Sequence, residues 1–151
     1  MDPLAELRWL VDGASVIQLA AGAVLGGCIG LERELRGHAA GLRTHMLVGL
    51  AAALFTIVAI DLADRLAAGA AETTRTDPLR ALEAVTAGVA FIAAGAIIRS
   101  GDKVRNLTTG AGLWLAGAVG LAAGAGYLGL AVLTTALALV ILGALRWLEF
   151  D

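Results

Sequence analysis

Glu32, Arg33, Glu34, Arg36 and Arg43 crowd into a short charged stretch between two apolar runs, and their types and spacing are the first in the chain that could do chemistry. Carboxylates and guanidiniums this close together could pair through forked hydrogen bonds. None could stay ionised in hydrocarbon, where each charge costs roughly 2.5 to 3.5 kcal/mol on insertion scales. The stretch Gly26–Phe55, reading GGCIGLERELRGHAAGLRTHMLVGLAAALF, therefore meets a water interface.

A second basic group, Arg99, Lys103 and Arg105, runs into Asn106, Leu107, Thr108 and Thr109. Thr44, Asn106 and Thr108 stand near helix starts, where free N–H groups and the helix dipole attract negative charge, and Glu32 or Glu34 could supply it. Alternatively Arg36, Arg43, Arg99 and Arg105 could pair with those glutamates and lock two helical hairpins together. The plainer reading makes the arginines ordinary cytoplasmic charges touching lipid phosphates. His38 and His45 lack the i, i+4 spacing of a helical metal pair, so solvated side chains are expected. Cys28, the single cysteine, reads as a small packing residue.

No Ser-His-Asp arrangement and no H-E-x-x-H motif points to hydrolysis, and the chain reads as a non-enzyme. The acidic outer loop, with Asp61, Asp64, Glu72, Asp77 and Glu83, could attract Mg²⁺, but scattered surface carboxylates are ordinarily only solvated. No cofactor and no metal site is expected.

The elements that must position these residues are membrane helices. Of the 151 residues 59% are hydrophobic and 16% charged, against about 25% charged in a soluble domain. The lipid bilayer is the chain's first partner. The 20 glycines lie largely inside the apolar runs, where close helix packing explains them. A net charge of −2 and the lack of a basic stripe exclude nucleic acid. The acidic start, MDPLAELRW, does not read as a cleaved signal peptide.

Hydropathy predicts an all-α polytopic protein with five short transmembrane helices, at Ser15–Leu31, Thr44–Ile60, Ala81–Ile98, Leu107–Ala125 and Tyr127–Leu145. Residues 1–14 form an interfacial segment with Leu4, Leu7, Leu10 and Val11 on one side, and residues 15–149 form the transmembrane domain. Asp77 and Pro78 mark a helix start by cap and first-position proline. Counting Lys and Arg puts seven on the side of the charged stretch and four on the other, so the N-terminus is expected outside and the C-terminus in the cytoplasm. The two hairpins with basic loops suggest a parallel repeat.

Gly22, Gly26 and Gly30 are four apart and line one helix face, and Gly112, Ala116, Gly120 and Gly124 form a similar ladder. Such ladders could seal the fold within one chain or join a homodimer, and five short helices need internal seams first.

The segments GLERELRGHAAGLRTHMLVGLAAALF and DPLRALEAVTAGVAFIAAGAIIRSGDKVRNLTTGAGLWLAGAVGLAAG resemble the membrane domain of the bacterial MgtC/SapB family, over about Ser15 to Glu149. ERE-x-RG, AGLRTH, VR-x-LTT and LW together carry the resemblance. Where the family often has GxGFLGAG, this chain has Gly88 to Gly95, and both glycines are expected at helix contacts. The soluble C-terminal domain of better-known members is not seen in the sequence. The resemblance implies an inner-membrane protein tied to magnesium limitation, acid stress and survival in host cells. It also implies action on another membrane complex, the ATP synthase in some members. By the same resemblance the functional positions are Glu32, Arg33, Glu34, Arg36, Gly41, Leu42, Arg43, Thr44, Arg99, Arg105 and Thr109.

The resulting expectation is a regulatory or stress-adaptation membrane protein linked to Mg²⁺ homeostasis, with a membrane protein partner. The alternative is a small cation or solute transporter with a site between the hairpins. Against it, the apolar centres of the spans hold no clear pair of ionisable residues.

Overall fold

A computed structural model describes residues 13–69, 78–100 and 103–144. It contains helices α1 (Gly13–Leu35), α2 (Leu42–Gly69), α3 (Pro78–Ala96), α4 (Leu107–Gly124) and α5 (Leu128–Ala144), with strands β1 (Ile98–Ser100) and β2 (Lys103–Arg105) between α3 and α4. Residues 1–12 of the expected interfacial segment 1–14, Glu72 and the Asp77 cap lie outside the described residues, and its last two residues, Gly13 and Ala14, belong to α1 instead.

Local sequence sets the helix ends. Gly37, at φ 70°, takes the left-handed conformation that stops α1. There the His38 N–H reaches the Arg33 carbonyl at 3.1 Å and the Gly37 N–H reaches that of Glu34 at 3.0 Å, which is a Schellman cap. Gly126, at φ 84°, ends α4 in the same way, with Tyr127 N–H on the Ala122 carbonyl at 2.8 Å and Gly126 N–H on that of Ala123 at 3.0 Å.

The structure differs from the hydropathy reading in three places that bear on the charged residues. α1 runs past Leu31, so Glu32, Arg33 and Glu34 belong to a helix and not to a loop. Because the Schellman cap satisfies the last carbonyls, the charged turn stays helical. α2 runs past Ile60, which places Asp61 and Asp64 on its final turns instead of in an outer loop, and Asp61 pairs with Arg65 at 2.6 Å. The basic loop after α3 is an antiparallel β-hairpin, with Ile98 opposite Arg105.

α4 packs against all four other helices and forms the centre of the bundle. Its glycines permit this. A Cβ at Gly120 would strike the Gly49 carbonyl oxygen on α2, and one at Gly49 would strike that of Gly22 on α1. Three backbones thus cross at glycine, the close approach that small residues allow. A Cβ at Gly26 would lie 2.7 Å from the His45 carbonyl oxygen, and one at Gly117 would lie 2.8 Å from Val89 on α3. Gly88 and Gly95 behave otherwise: a Cβ at either meets nothing within 4 Å among the described residues, so the expected close contacts through them are absent there.

Polarity is arranged as in a lipid-embedded bundle. Ile29, Leu113, Val119 and several alanines form the interior, yet Arg33, His45, Thr109 and Thr135 are buried with them. Phe91, Leu47, Leu130, Val132 and Val140 face outward. An exterior this apolar fits hydrocarbon better than water. α1, α2 and α4 contain stretches long and apolar enough to cross a membrane, and Leu82–Ala96 and Leu128–Ala144 are shorter apolar helices.

The charged turn, the start of α2, the end of α3 and the start of α4 gather at one end. A Cβ at Gly30 would lie 2.7 Å from the Gly41 carbonyl oxygen, and Asn106 Nδ2 donates to the Ala96 carbonyl at 3.1 Å. The hairpins α1–α2 and α3–α4 therefore point the same way.

Candidate functional site

At this end the last turn of α1 and the first turns of α2 and α4 enclose a polar joint. Arg33 follows Gly22, Gly26 and Gly30 along one face of α1, so its side chain enters the glycine seam. It is 4% exposed, and its Nη2 donates to Thr109 Oγ1 on α4 at 3.1 Å. Thr109 is 0% exposed.

Glu32 links two guanidiniums. Its Oε2 lies 3.8 Å from Arg33 Nη1, and its Oε1 lies 2.5 Å from Arg36 Nε. Both contacts are ion pairs and not hydrogen bonds, the first too long and the second out of line, and among the described residues neither carboxylate oxygen receives a donor and Arg33 Nε lacks an acceptor. The described part of the joint carries two positive charges and one negative. Glu34 points elsewhere: its Oε2 accepts from the Leu42 N–H at 2.7 Å and caps α2 across the turn. A carboxylate suits that position, since the unpaired N–H groups and the dipole favour negative charge there.

His45 is fully buried, against the expectation of a solvated side chain. It lies within α2, between Gly30 of α1 and Gly112 of α4: a Cβ at Gly30 would be 2.7 Å from His45 Cβ, and one at Gly112 would be 3.1 Å from Nε2. Nδ1 is 2.9 Å from the Gly41 carbonyl, which can only accept, so Nδ1 carries a proton. Nε2 has no partner. His38, outside the helices, is half-buried, and its pKa lies below the ordinary histidine value. Burial is the main cause, and Arg33 and Arg36 lower it further against the opposing pull of Glu32.

The structure brings Glu32, Arg33, Arg36 and Thr109 into one network and sets Glu34 beside it. Arg43 and Arg105 are exposed, and Thr44 is half-buried. The side chain of Arg99 lies outside the described residues. The expected bond from Glu32 or Glu34 to Arg105 is absent, because Glu32 is held by arginines of its own helix end and Glu34 by the start of α2. The link between hairpins is instead Arg33 to Thr109. Among the described residues no three His, Cys, Asp or Glu side chains form a metal-binding group.

The sequence profile of the MgtC family matches residues 19–150, and so takes in every element of this joint. The chain belongs to the MgtC family. YhiD of Escherichia coli (strain K12), whose name carries a proposed role as a magnesium transporter, is 38% identical over 136 residues, 89% of this chain and 62% of the relative. SapB of Bacillus subtilis (strain 168) is 38% identical over 122 residues, 80% of this chain and 52% of the relative. The protein MgtC of Brucella abortus (strain 2308) is 37% identical over 128 residues, 85% of this chain and 50% of the relative. The chain thus spans about half to three-fifths of the length of these MgtC-family relatives. No solved structure matches it significantly. Family membership and the apolar helices together make it a membrane protein.

Proposed function

We propose that this MgtC-family chain is a non-enzymatic protein of the bacterial inner membrane, linked to Mg²⁺ homeostasis and stress adaptation, that acts by binding or regulating another membrane complex. The N-terminus faces outward and the C-terminus the cytoplasm, which places the polar joint on the cytoplasmic side. The magnesium link rests on family membership and on the name of YhiD.

One observation carries the choice of regulation over transport. Glu32, the carboxylate inside the joint, is flanked by Arg33 and Arg36, so the joint is positive and repels a divalent cation. A cavity of about 290 Å³ between α2 and α3 does not compensate, for Val48, Phe55, Val85, Val89 and Ile92 line it. Mg²⁺ takes oxygen ligands, and the one carboxylate inside the joint is already engaged by two guanidiniums while the cavity lining is apolar.

The test is Mg²⁺ uptake into proteoliposomes containing this chain alone, with pull-down of membrane complexes from the native host in parallel. Regulation predicts no flux above empty liposomes and a partner captured by the parent but lost on Arg33→Ala. Saturable Mg²⁺ flux would establish the transporter reading.

A further inference from the structure

α2 and α3 part company away from the charged end of the bundle. Val48 still packs with Val89 and Ala93 in the interior. Beside them Ala51, Ala84 and Gly88 line the hollow of about 290 Å³, and a Cβ at Gly88 would meet nothing within 4 Å among the described residues. Elsewhere in the bundle small residues bring two backbones together, and here they leave room. A second hollow of about 320 Å³ continues the first toward Ile60, Leu79, Leu82 and Tyr127, with Phe55 and Val85 as walls of both. From Ile92 to Leu79 the cleft follows α3 for about 20 Å at the helix rise of 1.5 Å per residue.

Apart from Thr56 and Tyr127 the lining side chains are apolar. Thr56 Oγ1 is spent on the Ala52 carbonyl at 2.8 Å. Tyr127 is exposed at the end opposite the charged turn, the level at which an amphipathic ring meets lipid headgroups. Water and polar solutes find no partners between these walls. Leu82 and Ile92, which line the cleft, and the neighbouring Phe91 are exposed, so the cleft is continuous with the surface that meets the bilayer. A void there forfeits the dispersion contacts that hydrocarbon would make.

We propose that this cleft holds one acyl chain of a bilayer phospholipid, with its headgroup at the Tyr127 end. Size decides the occupant. A dry apolar cavity of about 150 Å³ takes the six carbons of benzene, so hollows of about 290 and 320 Å³ take roughly a dozen carbons each, enough for the whole of one chain. Half of a hydrocarbon core about 30 Å thick is about 15 Å, so a chain reaching from that end to the midplane fills most of the cleft. An α-helix, about 10 Å across, could lay only a ridge of side chains there. The site stands or falls independently of whether the protein regulates a partner or transports a solute.

The experiment counts, by mass spectrometry, the phospholipid that stays with the full chain after exhaustive washing in neutral detergent. The parent should retain about one phospholipid per chain, since the hollows hold one chain's carbons. Gly88→Phe puts a ring into the open space beside α3, and Ala51→Leu fills the same hollow from α2. Each should weaken retention about tenfold or more, the affinity carried by roughly two buried methylenes. Ala136→Phe, on the exposed face of α5, should leave retention unchanged. Circular dichroism and light scattering follow the fold and mass of each variant. The site is refuted if the parent retains no phospholipid, if both filled variants retain it like the parent, or if Ala136→Phe loses as much as they do. Unchanged retention with a fall in mass on filling would give the cleft to a second copy, and unchanged retention with loss of a captured membrane complex would give it to a partner's helix. Either outcome overturns the proposal.

Discussion

Arg33 and Thr109 stand 76 positions apart in sequence, and 3.1 Å separates Nη2 of one from Oγ1 of the other, with both side chains buried. This bond ties the end of the first hairpin to the last helix of the second. Thr109→Val keeps the shape and removes the acceptor, so it should cost about 1.5 to 3 kcal/mol, the range for a bond to a charged group. Arg33→Ala removes the same bond while Glu32 keeps Arg36, so it should cost a similar amount, about 1.5 to 3 kcal/mol. The exposed Arg43→Ala should lie within about 0.5 kcal/mol of the parent. Equilibrium unfolding in mixed micelles measures all three.

The glycine crossing gives a second expectation. Gly49→Ala and Gly120→Ala drive a methyl group into backbone oxygen and should abolish folding or force the helices apart. Gly88→Ala and Gly95→Ala have open space and should be neutral or slightly stabilising, since alanine is the better helix former. Folded yield after detergent extraction separates the pairs, and equal yields would show that the seam is not tight.

Much of this arrangement is legible in sequence periodicity. Arg33 continues the four-spaced glycines of α1, His45 precedes Gly49 by one turn on α2, and Thr109 precedes Gly112 and Ala116 on the α4 ladder. Each buried polar residue extends a small-residue face, and that phase points it inward. Hydropathy conceals this, because a window average sees a charged turn and ends the helix. The partner choice is not legible: Arg33, Arg36 and Arg105 are chemically interchangeable until the Schellman turn fixes which way α1 ends. The β-hairpin is likewise hidden, since its strands are three residues each.

His38 predicts a pH dependence. Its folded pKa is below its unfolded value of about 6.5, so below that pH the unfolded chain binds more protons than the native one. The stability associated with neutral His38 is full above about pH 6.5 and is lost as pH falls toward the lowered folded value. The midpoint difference between the parent and His38→Gln, followed from pH 7.5 to 5.5, should shift in favour of the variant. A difference that stays constant with pH would contradict this.

Orientation is open to chemical labelling. In a Cys28→Ser background, cysteine at His38 should resist an impermeant thiol reagent applied to intact cells, while cysteine at the exposed Asp64 should react. The reverse pattern would invert the proposed topology.

Charge reversal tests which arginine holds Glu32. Glu32→Arg would place three guanidiniums together at the end of α1 and should destabilise the joint. Adding Arg36→Glu restores opposite charges at the i, i+4 spacing and should recover part of the loss, with a coupling on the order of 1 kcal/mol. Adding Arg105→Glu should recover almost nothing, because Arg105 is exposed and makes no ion pair among the described residues. A double-mutant cycle read by unfolding midpoint compares the two rescues. If Arg105→Glu rescues as well as Arg36→Glu, the hairpins are joined by a charge pair across the β-hairpin, and the Arg33–Thr109 bond is not their principal tie.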